Sequence, residues 1–349
     1  MDTGETILTY RSKTITTQFC LKALVALSSI SSLKDITIPQ QKSFKRPEPK
    51  IYPAYKDFGR FLEAAEGKSK KEKYNLLNDY YINSNKMVFE ELSKVSSLDQ
   101  KAIIDRLISS KKDEYESLIE QVKRQNIIKL CKESINRCFE VLPLKRAPSL
   151  YLSIGSSDII SMGRFINNKP VIIIFLELWA DVQSSRTPYQ TYFKNRSNSL
   201  LNDIPLTIAN QYSHIVLYKA GVLGKSFLDK LIEEGLSTYF SRMVFPDYPF
   251  SSHLFFTSAE LEWCQRNEWF LKREIRPYLQ SLDSDIINRY FFFNDSKKDK
   301  WFPDRVGYFV GYRIIEEYLE NEYTLTISDL ISESPQEIVR MSRYFNVET

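Results

Sequence analysis

The pattern of hydrophobic and polar positions predicts a helical layer over residues 57–142. Apolar side chains recur there every three to four residues, as expected for helices that bury one face. From residue 118 to residue 142 this spacing is unbroken and predicts one long amphipathic helix. Shorter helices are predicted before it, at about 57–66, 73–95 and 98–110.

Strand-like patterns appear only in the second part of the chain. Residues 150–155 form a first apolar run, and residues 170–177 form a second that is richer in β-branched side chains. The intervening residues 163–169 predict a turn, because Asn167 and Asn168 readily adopt positive φ. The sequence therefore predicts a short sheet after the helical layer.

Helices return after the strands. One is predicted over 205–220, with Pro205 in its first turn, where a residue without an N–H is tolerated. Gly221 and Gly224 end this helix, and a second is predicted over 226–243. Further helices are predicted over 252–281, as one long helix or two, over 306–320, and from Pro335 to about Tyr344.

Composition and charge narrow the range of functions. The chain has 349 residues, of which 43% are hydrophobic and 26% are charged, as is typical of a globular protein with one large or two smaller domains. The net charge is +4, but basic and acidic residues are interspersed, so no nucleic-acid-binding surface is predicted. No apolar run approaches the ~18 residues that a membrane span requires.

The chain is expected to be cytoplasmic, although one stretch leaves export open. Residues 19–30 have some character of a signal sequence, but Lys22 interrupts them and no cleavage site of small residues stands out. Cys20 precedes the apolar run and is not placed like the cysteine of a lipoprotein. Cys131 and Cys138, seven residues apart on a predicted helix, are expected to be buried as small hydrophobic residues.

The candidate chemistry lies in the first two helices after the strands. Asn210 and His214 are four residues apart and therefore share one helix face, and the next helix carries the consecutive glutamates Glu233 and Glu234. The chain has only two histidines, so a site with three histidine ligands from one chain is excluded. The other histidine, His253, follows two serines and is expected at the surface or as a helix cap.

This region resembles the helix pair of a zinc peptidase. It reads Asn210-Gln211-Tyr212-Ser213-His214, followed on the next helix by Glu234-Gly235. Zinc peptidases of the H-E-x-x-H type have histidine ligands at the positions of Asn210 and His214 and a general-base glutamate at the position of Gln211. The chain resembles the gluzincin subgroup and, more narrowly, the YjaZ-type predicted zinc-dependent proteases. Their downstream glycine–tyrosine segment has a counterpart at 307–312, and the resemblance covers residues 145–349.

The resemblance implies a metal site with two altered positions. His214 and Glu234 have the positions of zinc ligands, whereas Asn210 replaces the first histidine ligand and Gln211 replaces the general-base glutamate. An amide oxygen is a weak zinc ligand, and an amide has no basic oxygen at neutral pH. Tyr308 is a candidate donor to an oxyanion, or else a tyrosine of the core.

The resemblance also implies the fold. It predicts a predominantly helical α+β protein with a tail and linker over 1–50, a helical region over 51–144, and a gluzincin-like domain over 145–349. In that domain a short β-sheet is followed by helices. An edge strand of the gluzincin sheet holds the substrate backbone by strand addition. Residues 170–177 are therefore either this edge strand or an interior strand.

The function that follows is that of a catalytically inactive relative of a zinc metallopeptidase, which keeps the fold and groove and binds a peptide or a protein partner. No cofactor is expected, or zinc if the site still functions. One alternative is an active metallopeptidase that adds a ligand such as Glu233 to Asn210, His214 and Glu234. Another is a helical scaffold or interaction protein. Neither a nucleic-acid partner nor a membrane span is expected.

Overall fold

The computed structural model describes residues 47–96, 99–155, 159–179, 200–221, 224–292, 301–321 and 327–346. By their contacts, Pro47–Thr349 form one unit. The predicted tail and linker over 1–50 lies outside the described residues except for its last four, and Cys20 and the stretch 19–30 lie outside them entirely. The predicted domain boundary at residue 145 stays a prediction.

The secondary structure confirms a predominantly helical α+β class with one small mixed sheet. The strands are β1 (Ile51–Tyr52), β2 (Ser149–Ser153), β3 (Ser161–Ile166) and β4 (Lys169–Phe175). The helices described between β1 and β2 are α1 (Tyr55–Ala64), α2 (Lys70–Leu77), α3 (Lys86–Leu92), α4 (Gln100–Ser109), α5 (Lys112–Arg124) and α6 (Ile127–Val141). Those described after β4 are α7 (Leu200–Ala220), α8 (Phe227–Val244), α9 (Phe250–His253), α10 (Ser258–Arg266), α11 (Glu268–Ile275), α12 (Ser284–Phe291), α13 (Val306–Asn321), α14 (Ile327–Ser332) and α15 (Pro335–Ser342).

The prediction of one long helix over 118–142 is wrong, because the structure has two helices there. Asn126 adopts a left-handed conformation, with φ 48°, between α5 and α6. A residue in this conformation cannot continue a right-handed helix, so α5 ends and α6 begins anew. The apolar spacing runs across the break because both helices bury one face. Cys131 and Cys138 lie on the buried face of α6, as predicted.

Two further helix boundaries are corrected. α7 begins at Leu200, so it extends beyond the predicted start at Pro205. Pro205 therefore lies inside α7, where it removes one backbone N–H donor from the helix. The single or double helix predicted over 252–281 is instead divided among α9, α10 and α11. Phe255 adopts positive φ (55°) and Thr257 caps α10, and the non-helical backbone of Asn267 separates α10 from α11.

The sheet has the strand order β1-β2-β4-β3. β1, β2 and β4 run parallel, and β3 pairs with β4 in the antiparallel direction. The run predicted over 170–177 therefore forms an interior strand, and β1 and β3 are the two edge strands of the sheet. Asn167 and Asn168 form the predicted turn with φ 49° and 58°, but residues 163–166 belong to β3 rather than to the turn.

The two faces of β3 contact different helices. Phe165 stacks on Tyr218 of α7, with ring centroids 5.8 Å apart. On the same face, a Cβ at Gly163 would lie 2.3 Å from the carbonyl oxygen of Gln211, so β3 and α7 approach each other at backbone distance. On the opposite face, Arg164 pairs with Glu91 of α3 at 3.0 Å. The sheet thus lies between the first helices and α7.

α7 is the central helix of the fold. It packs against β3, β4, α6 and α8. The Tyr212 hydroxyl donates to the carbonyl oxygen of Leu142 (2.6 Å), and the Tyr212 ring stacks on Phe240 of α8 with centroids 5.8 Å apart. α7 and α8 are adjacent, as the sequence predicted. None of the helices in the described ranges combines the length and apolar character needed to cross a membrane.

α8 and α13 cross at two glycines. A Cβ at Gly235 would lie 2.4 Å from the backbone of Gly311, and a Cβ at Gly311 would lie 2.1 Å from the carbonyl oxygen of Leu231. Side chains larger than hydrogen would force the helices apart. Because Glu234 precedes the first of these glycines, the crossing brings α13 close to a residue of the candidate site.

The close crossing of α8 and α13 predicts that replacing a glycine there by alanine destabilises the protein. Gly311→Ala should lower the free energy of unfolding by about 1–3 kcal/mol, because the added methyl group meets backbone atoms that cannot rotate away. Gly59→Ala in helix α1 is the matched control. Its added Cβ would lie near only one side chain, that of Ile119, at 3.3 Å. It should be neutral or stabilising by up to about 1 kcal/mol. Urea denaturation measures both, and equal stabilities for the two variants would contradict the close crossing.

Candidate functional site

The candidate site lies where α7 faces the first two turns of α8. A capping box fixes the start of α8: the Asp229 N–H donates to Ser226 Oγ (3.1 Å), and the Ser226 N–H donates to Asp229 Oδ2 (2.9 Å). This start places Lys230 three and four residues before Glu233 and Glu234. At that helical spacing one lysine side chain reaches both carboxylates.

Four side chains form a closed ring of alternating charge, which we call the charge ring: His214, Lys230, Glu233 and Glu234. Lys230 Nζ lies 2.9 Å from Glu234 Oε1 and 3.2 Å from Glu233 Oε2. His214 Nδ1 lies 2.8 Å from Glu233 Oε1, and His214 Nε2 lies 3.5 Å from Glu234 Oε2. Each basic side chain contacts both carboxylates, so the charges cancel within the ring when His214 is protonated.

The charge ring is largely removed from water. Side-chain exposure is 3% for Glu234, 12% for His214 and Glu233, and 24% for Lys230. Burial favours the neutral form of each group. For His214, the attraction of Glu234 and Glu233 outweighs burial and raises the pKa to about 9. Burial would raise the pKa values of both glutamates, but Lys230 and His214 outweigh it and hold them below their usual range. All four groups are therefore ionised at neutral pH.

Tyr308 of α13 lies beside the charge ring. Burial, followed by the negative charge of Glu234, raises its pKa above the usual range. The Arg305 guanidinium lies over the Tyr308 ring, 4.0 Å from its centroid, and Arg305 is itself buried. Tyr308 is thus packed between the guanidinium group of Arg305 and the charge ring. Its role as an oxyanion donor stays a prediction.

Asn210 and Gln211 interact with each other one turn before His214. Gln211 Nε2 donates to Asn210 Oδ1 at 3.0 Å. Asn210 is buried, with 8% exposure. Its amide oxygen, the atom that would bind a metal, already accepts this hydrogen bond. It stays a prediction that Asn210 could bind a metal and that Gln211 occupies the place of a general-base glutamate.

The site brings together three of the residues that the sequence singled out. Among the His, Cys, Asp and Glu side chains in the described ranges, His214, Glu233 and Glu234 form a group whose possible ligand atoms lie within 4.8 Å of one another. The pattern thus placed His214 and Glu234 together correctly, and Glu233, an alternative ligand, joins them. One imidazole and two carboxylates could hold a divalent cation, or they could be balanced by a side-chain cation such as Lys230.

Sequence reasoning missed Lys230. Its spacing to Glu233 and Glu234 is the usual spacing of helical ion pairs and could have revealed the contact. His253, expected at the surface or as a cap, is instead buried at 2% exposure, with Nδ1 2.9 Å from Ser241 Oγ. Burial, followed by the charge of Arg242, lowers the pKa of His253 to about 4. The serines before it suggested a cap, but they lie inside a four-residue helix that begins at Phe250 and ends at His253.

Comparison with known proteins gives one family. A family model described as gliding motility protein GldB, and labelled as a lipoprotein family, matches residues 39–346. This match covers the described part of the chain from the first helices to the last. No curated protein and no solved structure matches the chain.

The family match corrects the resemblance to zinc peptidases. The chain matches a family of gliding motility proteins along most of its length, not the YjaZ-type proteases or the gluzincins. The function inferred from that resemblance, a relative of a metallopeptidase that binds through an inherited groove, is therefore wrong. The short pattern at residues 210–214 lacks two of its three defining residues, and such a motif carries less information than a match along the whole chain.

The expected cytoplasmic location is also wrong. The lipoprotein label of the matching family points to a membrane-associated, exported protein. The sequence argument relied on residues 19–30 and on the placement of Cys20 among them. All of these residues lie outside the part of the chain that the structure describes.

The charge ring predicts that stability falls as the pH rises. The folded-state pKa of His214 is about 9, above the usual value of 6.5, so the folded protein retains a proton that the unfolded chain loses. The stabilisation is complete below pH 6.5 and is lost as the pH rises to 9. Between these values the free energy of unfolding should fall by up to about 1.4 kcal/mol per pH unit. Urea denaturation from pH 7 to pH 9.5 measures this slope.

The second histidine provides the control. His214→Gln should flatten the slope between pH 7 and pH 9. His253 has a folded-state pKa of about 4, so its titration affects stability only below pH 6.5, and His253→Gln should keep the wild-type slope above pH 7. A wild-type slope in the His214→Gln variant would show that the charge ring does not hold this proton.

Proposed function

The chain belongs to the family of gliding motility protein GldB, and we propose that it contributes to gliding motility by binding a protein partner of the motility machinery. The observation that carries this proposal is the family match over residues 39–346. The side chains of the charge ring are paired with one another, which suits them to fixing the helices rather than to reacting with a substrate. Binding is therefore favoured over catalysis.

The edge strand β3 is the surface that best supports partner binding. The Phe175 N–H donates to the Ile160 carbonyl at 2.9 Å, and the same register makes Met162, Arg164 and Ile166 the residues that bond to β4. In an antiparallel pair these positions alternate with positions whose backbone groups point away from the neighbour. Ser161, Gly163 and Phe165 therefore direct their N–H and C=O groups outward, and no other strand in the described ranges pairs with β3.

Exposed backbone groups on an edge strand are the usual template for strand addition by a partner chain. Ser161, Gly163 and Phe165 are all partly exposed. Tyr218, which stacks on Phe165, is 54% exposed and adds an aromatic surface beside the strand. An extended segment of a partner could thus gain hydrogen bonds from β3 and apolar contact from this aromatic pair.

Gliding itself tests the proposal. Deletion of the gene in the organism that encodes the chain should abolish the spreading of cells over a surface, and the wild-type gene should restore it. Ser161→Pro removes one outward N–H without removing a hydrogen bond to β4, because Ser161 is not a bonded position in that pair. This variant should restore spreading poorly while retaining the wild-type melting temperature.

Ser161→Ala is the matched control, since it changes the side chain and keeps the N–H. It should restore spreading fully. Full spreading with Ser161→Pro at equal protein levels would exclude β3 as the partner surface. Normal spreading of the deletion strain would overturn the proposed role in motility.

Membrane association is part of the same proposal and follows from the lipoprotein label of the family. When cells are broken and fractionated, the full chain should sediment with membranes, resist extraction by high salt and be released by detergent. Recovery in the soluble fraction would contradict it.

A further inference from the structure

We propose that Lys230 is the resident cation of a latent metal site: without its ammonium group, His214, Glu233 and Glu234 would hold a divalent metal ion such as zinc. The inference concerns the charge ring alone and does not depend on the proposed role in motility. It explains why a cluster with the composition of a metal site contains a fourth, basic side chain.

The geometry of the three residues suits a metal. Two ligands of a tetrahedral zinc, each about 2.0–2.2 Å from the ion, lie roughly 3.4 Å apart. His214 Nε2 and Glu234 Oε2 are 3.5 Å apart. His214 Nδ1 lies 2.8 Å from Glu233 Oε1, but the two atoms do not form a hydrogen bond. Glu233 is close enough to bind the same ion as His214 and Glu234, since the possible ligand atoms of the three residues lie within 4.8 Å of one another.

Two atoms of the cluster, His214 Nδ1 and Glu234 Oε2, are buried without a hydrogen-bond partner among the described residues. Glu234 is only 3% exposed, yet its Oε2 atom has no hydrogen-bond partner among the described residues. Buried carboxylate oxygens are normally hydrogen-bonded, and a bound ion is one of the partners that can account for an oxygen that is not. The other oxygen of Glu234, Oε1, contacts Lys230 at 2.9 Å.

Charge balance makes Lys230 and a metal ion alternatives. The two carboxylates carry two negative charges, and the ammonium group of Lys230 lies within 3.2 Å of both. A metal-bound imidazole is neutral, so a divalent ion would balance both carboxylates by itself. The ammonium group of Lys230 would then be an unbalanced charge in a largely buried site, which is costly. Only when Lys230 is absent does a bound divalent ion leave the cluster neutral.

The test compares zinc binding by full-length variants at pH 7. Protein stripped with a chelator is titrated calorimetrically with zinc chloride. Lys230→Gln should bind one zinc ion with a Kd at least about 100-fold lower than that of the wild type, because the competing cation is gone. Lys225→Gln, an exposed lysine just before α8, is the matched control and should bind like the wild type. The double variant Lys230→Gln/His214→Gln should bind zinc no more tightly than the wild type.

Thermal denaturation gives a second readout. Lys230→Gln should melt below the wild type in chelator and regain melting temperature when zinc chloride is added, whereas Lys230→Arg, which keeps the cation, should not respond to zinc. If Lys230→Gln is insoluble, it is purified with zinc chloride present, and failure to fold under that condition counts against the proposal. Stoichiometric zinc binding by the wild type that His214→Gln abolishes would overturn it, as would equal zinc affinity in Lys230→Gln and the wild type.

Discussion

A buried carboxylate requires a positive charge close to it, and this requirement constrains how α7 and α8 pack at the centre of the fold. Glu233 and Glu234 are consecutive on α8, so their side chains leave the helix in different directions. A single lysine on the same helix reaches both, and His214 on α7 contacts both from the other side. The charge ring therefore constrains the spacing between α7 and α8 as well as the rotation of α8 about its axis, because any slip would leave an ion without a partner.

Small residues make this arrangement possible. Gly235 follows the second glutamate and lets α13 approach α8 at backbone distance through Gly311. On the other side, Gly163 lets β3 approach α7 at the backbone of Gln211. α7 is thus held between the edge of the sheet and α8, with Tyr212 bonded to the end of α6. The charged groups lie among closely packed backbones with little room for water, which strengthens the attractions between them.

The resemblance to zinc peptidases had a real structural basis but led to the wrong family. His214 and Glu234 do converge, as helical spacing and the helix pair indicated. What the motif did not contain was Lys230, whose ammonium group forms ion pairs with both glutamates. A family match that extends over residues 39–346 includes the scaffold around the site, and it points to gliding motility. The proposed partner surface, β3 with Phe165 and Tyr218, lies on the side of α7 that faces the sheet.

The sequence by itself determined the helical class, the late sheet, the turn at Asn167 and Asn168, and the shared helix face that carries His214. These follow from local spacing and from backbone preferences of single residues, which need no knowledge of distant contacts. Only the tertiary structure decided that Asn126 divides a continuous apolar pattern, that β4 is an interior strand between β2 and β3, and that Lys230 neutralises Glu233 and Glu234. Strand order and charge pairing depend on which segments meet in space, and the spacing of residues along the chain does not contain that information.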